Sequence, residues 1–359
     1  MANLSIMIKP ASGLCNMKCK YCFYHEVVKH RDEGNYCIMR EDTANNLIDK
    51  ALEFVQNGNI SFVFQGGEPL LAGIDYFKHF IQRIKSANCK ANITLSLQTN
   101  GSLINEEWAE FFAENNFLIG ISLDGDIEGN KNRIMNADSP VFDNIINSIN
   151  LLDRYKVEYN ILSVVTAENS ERIESIYNYF KSCGFKFLQF IPCIRPFDYK
   201  GDNELYMSEK QYENYLITLF KLYARDFLKG NYISIRQLDN FVRLYSGGMA
   251  EQCGMSGYCS RQFVIEGNGN VYPCDFYCTD EWLLGNINST DFHSLLHSKK
   301  SVEFVKNSID IEDKCKKCIH FKYCRGGGCK RDKESFNYCS SYKNFFEKCA
   351  PLFDRMALK

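Results

Sequence analysis

Over its first two hundred residues the chain alternates between short β-branched or aromatic runs and segments of helical spacing. The runs are LSIMI (4–8), ISFVF (60–64), ITLSL (93–97), LIGIS (118–122), YNILSVV (159–165) and KFLQFI (186–191). Between them, DTANNLIDKALEFV (42–55) places Leu47, Ile48, Ala51, Leu52 and Val55 on one helical face. DYFKHFIQRIK, NEEWAEFFAEN, VFDNIINSINLLDRY and ERIESIYNYFKSC repeat that spacing. Strands separated by helices predict an α/β fold with a parallel sheet, here an open or partial (β/α)6 TIM-like barrel. Barrels of this kind collect their chemistry at the C-terminal ends of the strands. QGGEP (65–69) follows the second run and QTNG (98–101) the third, Ser122 closes the fourth, and QFIPC ends the sixth. CNMKCKYCFY (15–24) follows the first, so it joins the same rim.

The remaining chain changes character twice. Residues 201–250 read as a helical connector after a barrel spanning 1–200. Residues 251–359 form a cysteine-rich C-terminal region. Within it, RQFVIEGNGNVYPC (261–274) predicts a hairpin turning at Gly267-Asn268-Gly269. CKKCIHFKYCRGGGCKRD (315–332) lacks apolar periodicity, which predicts that ligands rather than a core hold it together.

Those ligands are cysteines. The chain has 17 of them, a high and odd number. A net charge of −2 without a basic stripe excludes nucleic acid as the expected partner. No apolar run has the length of a membrane span. MANLSIMIKPASGLC is broken by Lys9-Pro10 and does not read as a secretory signal, so the expected location is cytoplasmic. In a reducing compartment disulfides are not expected, and metal or cluster ligation is. Cys15, Cys19 and Cys22 stand at the front and ten more lie between Cys253 and Cys349. Cys37, Cys89, Cys183 and Cys193 read as plain thiols; Cys278 and Cys349 stay unassigned. Three thiolates in CxxxCxxC can hold three irons of a [4Fe–4S] cube and leave the fourth open. The alternative is zinc with a distant fourth ligand, for which the spacing is unusual.

CxxxCxxC with Tyr21 before its last cysteine, and GGEP after the second strand, resembles the radical SAM superfamily. The resemblance implies that S-adenosylmethionine chelates the open iron and is cleaved to a 5′-deoxyadenosyl radical. It places Tyr21 near the adenine and gives Gly66, Gly67 and Glu68 the methionine amino group. It also carries Ser122, Arg133 and Ile194 over as cofactor contacts. The later cysteines resemble a SPASM domain with two auxiliary [4Fe–4S] clusters, three clusters in all. By that pattern Cys253, Cys259, Cys274 and Cys329 hold one, and Cys315, Cys318, Cys324 and Cys339 the other. A zinc ribbon using Cys315, Cys318 and Cys324 is the alternative. The chain departs from the pattern in CRGGGC, which has three glycines where two are expected, and in a short Cys329–Cys339 segment without a further cysteine.

IKPASGLCNMKCKYCFYHE, FQGGEPLLAG, LQTNGSLI, KFLQFI and VYPCDFY together resemble an anaerobic sulfatase-maturating enzyme along nearly the whole chain. Such an enzyme oxidises a cysteine or serine in a C/S-x-P/A-x-R segment of an unfolded sulfatase to Cα-formylglycine. The resemblance makes Asp275 the base that takes the target's proton, and Tyr24 and Gln65 its substrate-side neighbours. It also implies an electron donor such as flavodoxin or ferredoxin. One competing reading is a SPASM-type enzyme forming thioether or carbon–carbon crosslinks in a ribosomal peptide. Such enzymes often carry an N-terminal extension, whereas here the first strand begins at once. A second is an electron carrier or zinc scaffold, which has no use for GGEP.

Overall fold

The computed structural model describes residues 2–32, 37–87, 89–135, 140–197, 199, 201 and 204–357. All six expected strands form: β1 Ala2–Ile8, β2 Gly58–Phe64, β3 Asn92–Thr99, β4 Phe117–Ser122, β5 Tyr159–Val165 and β6 Phe187–Pro192. Short strands follow at β7 Ser234–Ile235, β8 Phe263–Ile265, β9 Asn270–Tyr272 and β10 Gly285–Asn286. The helices are α1 Phe23–Lys29, α2 Glu41–Val55, α3 Ile74–Ser86, α4 Glu106–Glu114, α5 Phe142–Tyr155, α6 Ala167–Glu171, α7 Ile173–Ser182, α8 Glu209–Leu228 and α9 Arg236–Tyr245, with shorter ones beyond. The single helix expected over 171–183 is split at Arg172, because Thr166 starts a short helix of its own by accepting from Asn169 N.

The described residues group into two compact units. The first contains Met1–Ser122, Arg133–Tyr159 and Arg261–Phe304. Its sheet runs β10-β9-β8-β1-β2-β3-β4. The strands from β8 to β4 are parallel, and β9 and β10 turn back antiparallel. Ile6, Ile8, Phe62 and Phe64 are fully buried, as are Leu47 and Ile48 of α2 and Phe77 and Phe80 of α3. Phe64 meets Phe77 and Phe80 edge-on, each at 5.0 Å between ring centroids. The predicted hairpin is present as β8 and β9, and β8 lies in the sheet beside β1. Registers place Ile8, Phe64 and Ile265 in one row. The residues that leave those strands, Lys9, Gln65 and Glu266, therefore stand side by side on the rim, tied by Lys9 N to Ile265 O (2.8 Å) and Gln65 N to Ile8 O (2.9 Å).

The second unit contains Leu123–Asn132, Asn160–Ser260 and Val305–Lys359. Here β5, β6 and β7 pair in parallel. A capping box between Ser208 and Gln211 starts α8. A C-terminal helix, Cys339–Ala357, packs along α8, with Phe353 stacked on Phe220 at 4.2 Å and Phe345 edge-on at 5.4 Å. The cysteine-rich tail thus leads into an aromatic core that its own composition did not reveal. Among the described residues, no helix is long and apolar enough to cross a membrane.

Candidate active site

The GGEP loop is bound to the loop before the CxxxCxxC stretch by main-chain contacts. Gly67 N donates to Ser12 O (2.8 Å) and Glu68 N to Leu14 O (2.7 Å). A Cβ on Gly67 would sit 2.0 Å from Leu14 O, and Gly66 adopts φ +138°. Both positions therefore require glycine. The Glu68 side chain is fully buried and faces inward. It accepts from Thr99 Oγ1 (2.8 Å), Asn100 N (2.8 Å) and Leu70 N (3.1 Å). Burial lifts its carboxyl to about 7, against the pull of those donors. The strand-end asparagine of QTNG thereby anchors the GGEP acid.

Cys15, Cys19 and Cys22 lie within electrostatic reach of one another. Burial pushes the Cys15 thiol up to about 12, and Glu68, Cys19 and Cys22 add to that rise. Iron ligation requires the thiolates, so cluster binding must overcome this cost. Nearby, the Arg133 guanidinium lies 5.5 Å from the Tyr21 ring centre, a cation–π approach. Ser122, at the end of β4, accepts from Gln98 Nε2 at 3.0 Å. Ile194 belongs to the second unit, just beyond β6, and is buried.

On the same rim of the first unit, Asp275 follows Cys274 and is buried. Its Oδ2 accepts from Gln65 Nε2 at 2.9 Å, and its Oδ1 lies 2.5 Å from Lys9 Nζ. Lys9 is fully buried. Its ammonium sits 3.4 Å from the Tyr24 ring centre and 4.0 Å from Glu266 Oε1. Burial opposes the charge on Lys9, but Asp275, Cys278, Tyr24 and Glu266 overcome it and hold the lysine well above its ordinary value. Tyr24 donates to Glu266, and Arg31 Nη2 donates to Glu266 Oε1 at 2.8 Å and to the Tyr24 hydroxyl at 3.2 Å. Lys9, Arg31 and Glu266 were not expected as site residues; a charged residue after a strand reads as a solvated rim until the β8–β1–β2 register is known. Cys278 is buried beside this cluster, with Sγ 3.5 Å from Cys274 O.

The second unit gathers two further cysteine sets. Cys315, Cys318, Cys324 and Cys339 line one cavity of ≈ 340 Å³, with Tyr338 and Tyr342 in its wall. Among the described residues, no three His, Cys, Asp or Glu side chains converge on a single-ion position. Four cysteine thiols on one cavity make a ligand set that suits a four-iron cube. Arg325, Gly326, Gly327 and Gly328 all have positive φ, so the third glycine of CRGGGC extends a left-handed run. The run turns the Gly326 and Gly327 amides toward the Cys324 sulfur. Cys259 interacts with both Cys253 and Cys329, while Cys274 lies in the first unit.

A parallel α/β core with three clustered thiols after its first strand and cysteine sets beyond it defines a radical SAM enzyme with auxiliary-cluster ligands. Residues 10–180 match the radical SAM superfamily, and residues 253–319 match SPASM, an iron–sulfur cluster-binding domain. A cysteine-type anaerobic sulfatase-maturating enzyme of Clostridium perfringens is 43% identical, covering 98% of this chain and 97% of that protein. A serine-type enzyme of Bacteroides thetaiotaomicron is 29% identical over 98% and 91%. The solved structure of native anSMEcpe with bound AdoMet and Cp18Cys peptide has a TM-score of 0.93 and 42% identity, covering 99% of both chains. The chain belongs to the anaerobic sulfatase-maturating enzymes.

Proposed function

We propose that this enzyme oxidises a cysteine in a C-x-P/A-x-R segment of an unfolded sulfatase to Cα-formylglycine. The higher identity to the cysteine-type relative than to the serine-type one supports cysteine as the target. The enzyme uses S-adenosylmethionine and three [4Fe–4S] clusters. Cys15, Cys19 and Cys22 would hold the cluster that binds S-adenosylmethionine, with Tyr21, Gly66, Gly67, Glu68, Ser122, Arg133 and Ile194 as contacts. Cys253, Cys259, Cys274 and Cys329 would hold the first auxiliary cluster, and Cys315, Cys318, Cys324 and Cys339 the second. The functional division is a barrel over 1–200, a connector over 201–250 and an auxiliary-cluster region over 251–359.

When bound, these cofactors would supply hydrogen-atom abstraction at the target Cβ and a one-electron acceptor. The chain's own residues take the proton. Asp275 is the base, and Gln65 holds one of its oxygens where a thiol can reach the carboxylate. Loss of one hydrogen atom, one proton and one electron leaves a thioaldehyde, which water hydrolyses to the aldehyde with release of hydrogen sulfide. Tyr24 lays its ring against the Lys9 ammonium that pairs with Asp275. The observation that carries this reading is a buried aspartate beside a cluster cysteine, held by the strand-end amide next to GGEP. The expected electron partner is a flavodoxin or ferredoxin, and the expected compartment the cytoplasm.

The test is anaerobic. The reconstituted enzyme is given S-adenosylmethionine, a reductant and peptides containing Cys-x-Pro-x-Arg or Ser-x-Pro-x-Arg. Mass spectrometry should find the aldehyde on the cysteine peptide, and Asp275→Asn should form deoxyadenosine with little aldehyde. Deoxyadenosine without aldehyde in the unmodified enzyme would move the peptide-crosslinking reading to first place.

A further inference from the structure

We propose that Lys9 is a positioning residue for the base, holding Asp275 Oδ1 while Gln65 holds Oδ2, so that the carboxylate keeps one orientation toward the target thiol. The proposal rests on Asp275 being the base. Lys9 leaves β1 and Gln65 leaves β2 at the same register, so the carboxylate is held from two adjacent strands. Gln65 takes Oδ2 through a directed hydrogen bond. Lys9 holds Oδ1 as a close ion pair, with its Nζ 2.5 Å away. Oδ1 is thus buried and charge-compensated by Lys9. A carboxylate oxygen has two lone pairs, so Oδ1 can still accept from the target thiol while it is paired with Lys9.

The surroundings commit Lys9 to this task. Its alternative acceptor, Glu266 Oε1, already receives bonds from Tyr24 and Arg31. The Tyr24 ring lies against the ammonium and blocks it from swinging away. The four charges of Lys9, Arg31, Glu266 and Asp275 sum to zero, which lets Asp275 stay buried without a solvent counterion.

The experiment compares reconstituted holoenzymes carrying Lys9→Met, Lys9→Met with Glu266→Gln, Lys9→Arg and Asp275→Asn. The double variant removes one positive and one negative group, so its buried charge stays balanced. Each receives S-adenosylmethionine and a Cys-x-Pro-x-Arg peptide. The readouts are iron content, deoxyadenosine, and aldehyde formed per deoxyadenosine. The expected result for both Met variants is full iron content with aldehyde per deoxyadenosine reduced at least ~10-fold, within the range general-base catalysis supplies. Lys9→Arg should recover part of that ratio. A wild-type ratio in either Met variant overturns the proposal. So does loss of iron in both, which would assign Lys9 to the fold. If Asp275→Asn keeps the wild-type ratio, the base assignment itself fails; if Asp275→Asn uncouples and the Met variants do not, only the Lys9 proposal fails.

Discussion

Gln65 Nε2 and Asp275 Oδ2 meet at 2.9 Å, although 210 positions separate them in sequence. One belongs to the loop that begins GGEP and the other follows Cys274, a proposed cluster ligand. The bond therefore joins the two ends of the proposed chemistry. A hydrogen bond to a charged group contributes about 1.5–3 kcal/mol, or roughly 10- to 100-fold. Gln65→Ala should lower kcat/KM for aldehyde formation by that factor. Steady-state kinetics on a Cys-x-Pro-x-Arg peptide checks it.

Glu68 makes a pH prediction. Burial lifts its folded value to about 7 from an ordinary 4.5, so the folded chain binds this proton more tightly than the unfolded chain. Its contribution is fully present below about 4.5 and is lost as pH rises through about 7. The full span amounts to about 3 kcal/mol. Glu68→Gln should remove that slope. Denaturant unfolding of both proteins at several pH values between those limits gives the difference; parallel curves would refute it.

Gly67 faces a carbonyl it could not tolerate with a side chain. Gly67→Ala must push the GGEP loop away from Leu14 O, so S-adenosylmethionine affinity should fall at least ~10-fold, equivalent to about 1.4 kcal/mol. Equilibrium binding to the reconstituted protein measures this, with iron content as the control for an intact first cluster.

The cysteine sets are separable by iron analysis. Replacing Cys315, Cys318, Cys324 or Cys339 by Ala should remove one cluster's worth of iron. Cys89→Ala and Cys349→Ala should keep the full complement. Gly327→Val should behave like the first group: the position is open in space, but its φ of +100° strains a β-branched residue by about 1–3 kcal/mol and disturbs the amides around Cys324.

The strands and most helices were legible because their apolar positions repeat with the right period; Leu47, Ile48, Ala51, Leu52 and Val55 are all buried as that period requires. Motifs pointed to Cys15, Gly67 and Asp275 as candidate site residues, and their roles there are proposals. Lys9 and Glu266 were not legible, because only the pairing of β8 with β1 brings a strand end from the last third of the chain beside the first. The C-terminal helix was also missed. Phe345, Phe346, Cys349, Phe353 and Met356 do line one face, but a lysine- and cysteine-rich context and Pro351 obscure the pattern. The run of positive φ from Arg325 to Gly328 cannot be read from composition, since glycine also sits in ordinary backbone.

Placing β8 against β1 has a consequence for how the protein is made. On the growing chain β1 waits for β8 until residues 263–265 have been synthesised. At ~5–20 residues per second, that leaves one edge of β1 unpaired for roughly 13–50 s. During that interval Ile6 and Ile8 border an open ladder, a template for pairing with other nascent chains. Chaperone cover or early cofactor loading would matter most in that window, before the base and the residues that hold it have met.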